Sequence, residues 1–197
     1  MSSSRLSQEA LNTLFNDARS HNGWLPTALP ENIINEIYDL MKMGPTAANS
    51  CPARLVFVQS DEAKQRLKAC LNEGNVEKSM TAPAVVIIGM DLEFYEKLPK
   101  LFPHTDAKSW FAGNDEKIYD NAYRNSSLQA AYFIMAARSL GLDCGPMSGL
   151  NYDKMNQEFF PDGKVKCNFI CAIGYGDETK IFDRSPRLDF DEACQVL

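Results

Sequence analysis

Five short stretches of the chain carry residue types and spacings that could do chemistry. Arg19-Ser20-His21-Asn22 offers a guanidinium fork matched to a phosphate, with three further polar side chains beside it. Gly44-Pro45 stops a helical pattern, and Pro45-Thr46-Ala47-Ala48-Asn49 follows as a run of small and polar residues. Side chains that small let backbone amides approach a flat ligand closely. Asn75-Val76-Glu77-Lys78 combines an amide that both donates and accepts with a cation that could stabilise negative charge spread over a ring. Cys144-Gly145-Pro146-Met147-Ser148-Gly149 reads as an irregular loop able to aim an N–H at a ligand atom. Arg184-Ser185-Pro186-Arg187-Leu188 adds two more guanidiniums suited to phosphate.

Each stretch also has an ordinary reading. Arg19 equally suits the C-terminal end of a helix, where a cation faces the dipole. Residues 75–78 equally suit a surface turn, and 144–149 a connection between two helices. The two late arginines equally suit surface ion pairs of little energetic weight.

The elements that must position these residues follow from periodicity. Residues 7–19 are predicted as a helix with Ser7 as its N-cap and Leu11, Leu14, Phe15 and Ala18 as its apolar stripe. Residues 31–43 form a second helix, with Ile33, Ile34, Ile37, Leu40 and Met41 on one side. Leu55–Gln59 reads as a strand, and Ser60-Asp61-Glu62 caps a helix reaching Leu71. The apolar run Ala84–Met90 suits a strand buried on both faces. Residues 92–118 carry prolines and aromatics without periodicity and read as a semi-ordered excursion. Residues 119–140 form the strongest helix, lined by Leu128, Ala131, Tyr132, Met135 and Ala136, and apolar enough elsewhere to pack against a core or a partner subunit. Residues 151–160 give a short helix, 166–175 a second buried strand, and 177–197 a polar tail. Few strands between long helices point to one layered α/β or α+β domain over 1–197.

Composition narrows the function classes. A net charge of −6 makes a nucleic acid an unlikely partner. No apolar run approaches the roughly 20 residues of a membrane span, and the first ten residues lack the apolar core of a signal peptide. No membrane association and a cytoplasmic location are therefore expected. With six cysteines, no Cys-x-x-Cys pair and two histidines, no metal site is expected. Cys167 and Cys171, four apart in a predicted strand, are expected to share one face as buried small hydrophobes. Neither a dinucleotide-binding glycine fingerprint nor a P-loop is present.

Taken in order, the five stretches resemble the signature set of the flavin-dependent nitroreductase family, and the resemblance runs from near Ala10 to the C-terminus. It implies an α+β, three-layer FMN-binding fold, with a mainly antiparallel central sheet flanked by helices, in a homodimer with FMN at the subunit interface. It assigns Arg19, Ser20 and His21, with Asn22 beside them, to the flavin phosphate. Pro45, Thr46, Ala47 and Asn49 would lie over the flavin from the partner subunit. Asn75 and Lys78 would approach the pyrimidine edge, and Pro146, Met147, Ser148 and Gly149 the N5 side. Arg187 would make a second phosphate contact. Two positions depart from the pattern: Ser148 stands where many relatives carry Glu, and Ser185 where they carry a second basic residue, with Arg184 one step away.

The resemblance also implies an activity. NADH or NADPH, as co-substrate, would deliver hydride to flavin N5, and an acceptor would then bind the same face. Four stretches, Asp17–Trp24, Leu101–His104, Arg124–Ser127 and Gly145–Gly149, are most similar to a subgroup that reduces malonic semialdehyde to 3-hydroxypropanoate in uracil degradation (Rut). Arg124 is then a candidate contact for the substrate carboxylate, or a cap of the long helix. The alternatives are a broad nitroreductase or quinone reductase and, in a different class, a flavin-binding protein without NAD(P)H turnover.

Overall fold

The computed structural model describes residues 5–197, so the reading of Met1–Ser4 lies outside the described residues. The first helix, α1 (Gln8–Leu11), starts where the Ser7 hydroxyl accepts from the Ala10 N–H at 3.1 Å, and it runs on as a π-helical turn, Asn12–Asn16. No residue of either turn is fully buried: of the expected stripe, Leu11, Leu14 and Ala18 are half-buried and Phe15 is exposed. In α2 (Ile33–Met41), Ile33, Ile37 and Met41 go inside at helical spacing. β1 (Ala53–Val58) leads to α3 (Asp61–Lys68), whose Ser60 cap accepts from Ala63 N–H at 3.2 Å.

The Asn75–Lys78 stretch is not a surface turn. It forms the middle of a helix, α4 (Glu73–Thr81), ahead of β2 (Ala84–Asp91). β2 is buried along its whole length, as a continuous apolar run predicts. The excursion that follows is better ordered than its composition suggests. A 3₁₀ turn at Phe94–Lys97, the short α5 (Leu98–Leu101) and a second 3₁₀ turn at Lys108–Trp110 close around Phe94 and Leu98, which are fully buried with Met90, Ile118 and Ala122. Aromatics packed edge to face do what periodicity does elsewhere; the Phe94 and Phe111 rings meet at 5.0 Å and 76°.

The long helix, α6, spans Asp115–Ser139. Its buried face matches the predicted one only at Ala136, with Tyr132 and Met135 half-buried. Leu128 is exposed, whereas Asn121, Asn125, Ser126 and Gln129 lie inside with Ala122, Ala130 and Phe133. The reason is that these polar side chains find hydrogen-bond partners inside the fold, which offsets the cost of burying them.

The 144–149 stretch is also corrected. Most of it is a strand, β3 (Asp143–Met147), followed by α7 (Tyr152–Phe159), β4 (Val165–Gly174) and a final short helix, α8 (Phe190–Ala193). Pro146 is tolerated because β3 is an edge strand.

The sheet order is β1-β2-β4-β3, and every neighbouring pair is antiparallel. One face is covered by α3 and α7 through Leu67 and Met155, the other by α2 and α6 through Ile37 and Phe133. This is the α+β arrangement of an antiparallel sheet between helical layers. One irregularity overturns an expectation. The β2–β4 register slips between Ile88 and Gly89, leaving Asn168 as an extra residue in β4. A single inserted residue reverses the alternation, so Cys167 packs on the α3/α7 side and Cys171 on the α2/α6 side rather than sharing a face. Both remain buried, as expected, and burial pushes the Cys167 thiol up to about 12.

Candidate functional site

Arg19 and Ser20 follow the π turn, where the chain folds back along the edge of β3. Ser20 forms a bridge with Cys144, and the His21 N–H donates to the Cys144 carbonyl at 3.0 Å. This approach needs Gly145: a Cβ there would stand 2.6 Å from the His21 carbonyl oxygen. Trp24, nearly buried, donates its indole N–H to the Lys78 carbonyl at 2.8 Å and so ties the N-terminal segment to α4.

These contacts open a cleft of about 400 Å³. Arg19, Ser20 and Asn22 border it from the N-terminal segment, Lys78 from α4 and Pro146 from β3. Arg184 and Arg187 border it from the tail, and Arg138 from the last turn of α6. Five cations thus meet there against one aspartate, Asp183, in a chain whose net charge is −6. Several guanidiniums also fasten the walls to each other. Arg19 donates to the Phe182 carbonyl, Arg184 to Ala18 at 3.2 Å and Arg138 to Leu14 at 2.9 Å. A guanidinium has five N–H donors, so each keeps several for a ligand. Burial pulls the Lys78 ammonium below the usual lysine range.

A second hollow, of about 360 Å³, lies along the same strand. Pro146 borders both. Met147 and Ser148 continue its wall, with Tyr123 and Ser127 of α6 opposite. The bulge at Asn168 aims that residue's amide at Ser126 and Ser127, both 2.9 Å away, and so fixes the hydroxyl at the rim. Together the two spaces form a trough with a cationic end and a flat, hydroxyl-lined end.

Not every predicted residue borders the trough. The His21 ring turns inward, with Nε2 3.2 Å from Asp143, and it lies outside the cationic cleft. Met147 points into the core, where its sulfur accepts from Ser79. Asn75 spends its amide on the Gly149 carbonyl, 2.8 Å away, and a Cβ at Gly149 would come within 2.6 Å of that nitrogen. His21 and Asn75 therefore shape the trough from behind, whereas Met147 lines the second hollow while its sulfur reaches inward. Arg124 is exposed, has no ion-pair partner among the described residues and borders neither hollow.

Pro45, Thr46, Ala47 and Asn49 also lie away from the trough. Their backbone is unusual: Ala48, Asn49 and Cys51 have φ of 50°, 49° and 41°, in the left-handed region that non-glycine residues avoid. The segment is held by α6 and by Leu101, whose carbonyl accepts from the Asn49 amide at 2.8 Å.

Sequence reasoning missed Arg138 and the buried amides of α6. Arg138 looks like an ordinary cation at a helix C-terminus. Asn121, Asn125 and Gln129 carry a readable signal, an i, i+4, i+8 row of amides along one face of an otherwise small and apolar helix.

Among the described residues no helix is long and apolar enough to cross a membrane, and no three His, Cys, Asp or Glu side chains are placed to hold a metal ion. The chain is 57% identical over 192 residues to a protein of Polynucleobacter asymbioticus provisionally named NADH dehydrogenase/NAD(P)H nitroreductase, covering 98% of each. A similarly named protein of Ralstonia nicotianae is 54% identical over 192 residues, again covering 98% of each. A provisionally named nitroreductase from Exiguobacterium sibiricum, solved in complex with FMN, superposes with a TM-score of 0.84 over 99% of this chain and 100% of that one. Its identity is 16%, so what the two share is the fold. The Nitroreductase family model matches residues 15–175, which takes in α2 through β4 and most of the trough. The chain belongs to the Nitroreductase family.

Proposed function

We propose that the protein is an FMN-dependent NAD(P)H oxidoreductase whose physiological acceptor is malonic semialdehyde. The observation that carries the cofactor reading is the convergence of Arg19, Ser20, Asn22, Lys78, Pro146 and Arg187, from four separate parts of the chain, on one cationic cleft. The donor set fits the group. A phosphate monoester suits the guanidinium end, and a flat ring suits the wall that Pro146 continues toward Ser148. Arg19 and Arg187 hold the phosphate, with Arg138 and Arg184 adding to the field around it. Lys78 places a positive charge beside the ring, where negative charge gathers on reduction. FMN, when bound, supplies the acceptance and release of hydride; the chain binds, orients and shields it.

A homodimer completes this reading. Phe15, Tyr119, Tyr123, Leu128 and Phe190 are exposed in the single chain and offer apolar surface for a partner. A partner subunit covers them and brings its Pro45–Asn49 segment over the flavin.

The acceptor assignment is supported by the Leu101–His104, Arg124–Ser127 and Ser148 resemblances. Arg124, exposed and without an ion-pair partner among the described residues, is the proposed carboxylate contact. A second reading, broad nitroreductase or quinone reductase activity, is favoured by the names of the relatives.

The test has three stages. The purified protein releases FMN, identified by mass; release of FAD, or no uptake of either, rejects the cofactor. NADH or NADPH bleaches the bound flavin; absence of bleaching marks a flavin-binding protein without turnover. Malonic semialdehyde then gives a higher kcat/KM than a nitroarene or a quinone; the reverse order replaces the first acceptor by the second reading. Arg124→Ala raises KM for the acid aldehyde far more than for a neutral quinone, and equal losses reject its role.

A further inference from the structure

The Pro45–Ala53 segment holds three non-glycine residues at positive φ. The Asn49 and Ser50 N–H groups pair within it and the Pro52 carbonyl accepts from Asp91, and one face of α6 holds the Pro45 carbonyl and the Ala47 and Ala53 N–H groups. Asn121, Asn125, Gln129 and Tyr132 stand at spacings of four, four and three, which places them in one row. The Asn121 amide donates to the Ser50 hydroxyl at 3.2 Å. The Ala47 N–H donates to Asn125 Oδ1 at 2.8 Å, and the Ala53 N–H to Gln129 Oε1 at 2.8 Å. The Tyr132 hydroxyl donates to the Pro45 carbonyl at 2.9 Å. Asn125 is itself held, because its Nδ2 donates to the Asn121 carbonyl at 2.9 Å and to the Asn121 side chain at 3.0 Å.

Stability does not require such a row. Apolar side chains at 121, 125 and 129 would fill the same helix face without desolvating three amides. What the amides supply is a set of fixed partners for backbone groups that a strained loop cannot pair by itself. Two of the four bonds end on the backbone of Pro45 and Ala47, inside the stretch that carries Thr46 and Asn49.

We propose that Asn125, with Asn121, Gln129 and Tyr132, forms a set of positioning residues that holds Pro45–Asn49 in its strained shape for contact with the flavin. This rests on the FMN reading above, since the segment has a ligand to meet only if that reading is right. The row touches neither cofactor nor acceptor. It acts by keeping the left-handed Ala48–Asn49 turn populated before the ligand arrives, so that binding does not have to order it.

The experiment compares Asn125→Ala, Asn125→Asp and Tyr132→Phe in the full-length protein. Each is measured for FMN dissociation constant, acceptor KM and kcat, and melting temperature. Asn125→Ala is expected to weaken FMN binding by roughly five- to tenfold, the size of one lost hydrogen bond. Acceptor KM rises with it, while kcat at saturating FMN changes less. Asn125→Asp keeps the oxygen that accepts from Ala47 but sets its second oxygen against the Asn121 carbonyl, so it is expected to lose as much as Asn125→Ala. A purely structural role would lower the melting temperature and leave FMN affinity and KM of the folded protein untouched; that result overturns the proposal. If Asn125→Ala does not fold, Tyr132→Phe decides: weaker FMN binding supports the row, and wild-type affinity overturns it. Wild-type protein that takes up no FMN overturns the parent reading and this one together. Tight FMN binding that is equal in wild type, Asn125→Ala and Tyr132→Phe overturns only this one.

Discussion

The cationic cleft and the Pro45–Ala53 segment solve opposite problems. The cleft is made of long cations from both ends of the chain and from α4 and α6, with guanidinium bonds to carbonyls of the opposite wall. The segment is made of short side chains on a strained backbone, fastened by buried amides of a single helix. Charge acts at a distance and tolerates small displacements; shape does not. The cleft should therefore lose function in steps as cations are removed, and the segment should lose it when geometry loosens with no charge altered.

The largest effect that tests this contrast is the removal of both phosphate partners. Arg19→Ala and Arg187→Ala should each weaken FMN binding about tenfold or more, and together about a hundredfold or more, since charge-assisted bonds contribute about 1.5–3 kcal/mol each. Flavin fluorescence titration measures it. The salt dependence should also shallow in these variants but not in Asn125→Ala; equal slopes in all of them would erase the distinction.

Next in size is Gly145→Ala. Its Cβ would collide with the His21 carbonyl, a backbone atom that cannot swing away, and would push the N-terminal wall off β3. A destabilisation of about 1–3 kcal/mol in urea unfolding is expected, with looser FMN binding in the fraction that folds.

A smaller effect follows from Lys78. Only the ammonium form attracts an anion, and burial lowers its pKa below the usual 10.5. FMN affinity should be full below that depressed pKa and fall as pH rises through it, by roughly three- to tenfold. In Lys78→Arg, where the charge persists, the alkaline loss should vanish; a loss that persists would place the titrating group elsewhere.

The smallest is Ala48→Gly. Relief of the left-handed strain should raise stability by up to about 1 kcal/mol while FMN binding weakens, a stability gain set against a functional loss. Stability and affinity rising together would remove strain from the account of the segment.

How much of this was legible in the sequence differs between the same two regions. The cleft was readable only through the family resemblance, which groups Arg19, Lys78 and Arg187; each alone reads equally well as a surface cation. The fastening of the segment was not, because apolar periodicity weights Leu128 and Met135 and passes over the amides between them. β3 was missed for a related reason: Gly145 and Pro146 signal a loop, yet on an edge strand a proline has no ladder bond to lose. α4 was read as a turn since Glu73-Gly74-Asn75 carries a poor helix composition and its pattern is short. The inserted Asn168 has no signature at all in one sequence, and it alone defeated the expectation for Cys167 and Cys171. β2, the Ser60 cap and a single layered domain followed from patterns that tertiary context does not reverse; the antiparallel pairing came from the family resemblance.

The chain contains two tryptophans, and they sit in contrasting places. Trp110 is 46% exposed on the excursion; Trp24 is 7% exposed, behind Lys78 and against the wall of the cleft. Their emission should accordingly resolve into a red-shifted, iodide-accessible component and a blue-shifted, protected one. Flavin absorbs where indole emits, so the protected component should dim as the trough fills. The protein thus carries its own optical gauge of occupancy, and Trp110→Phe would leave that gauge reading from Trp24 alone.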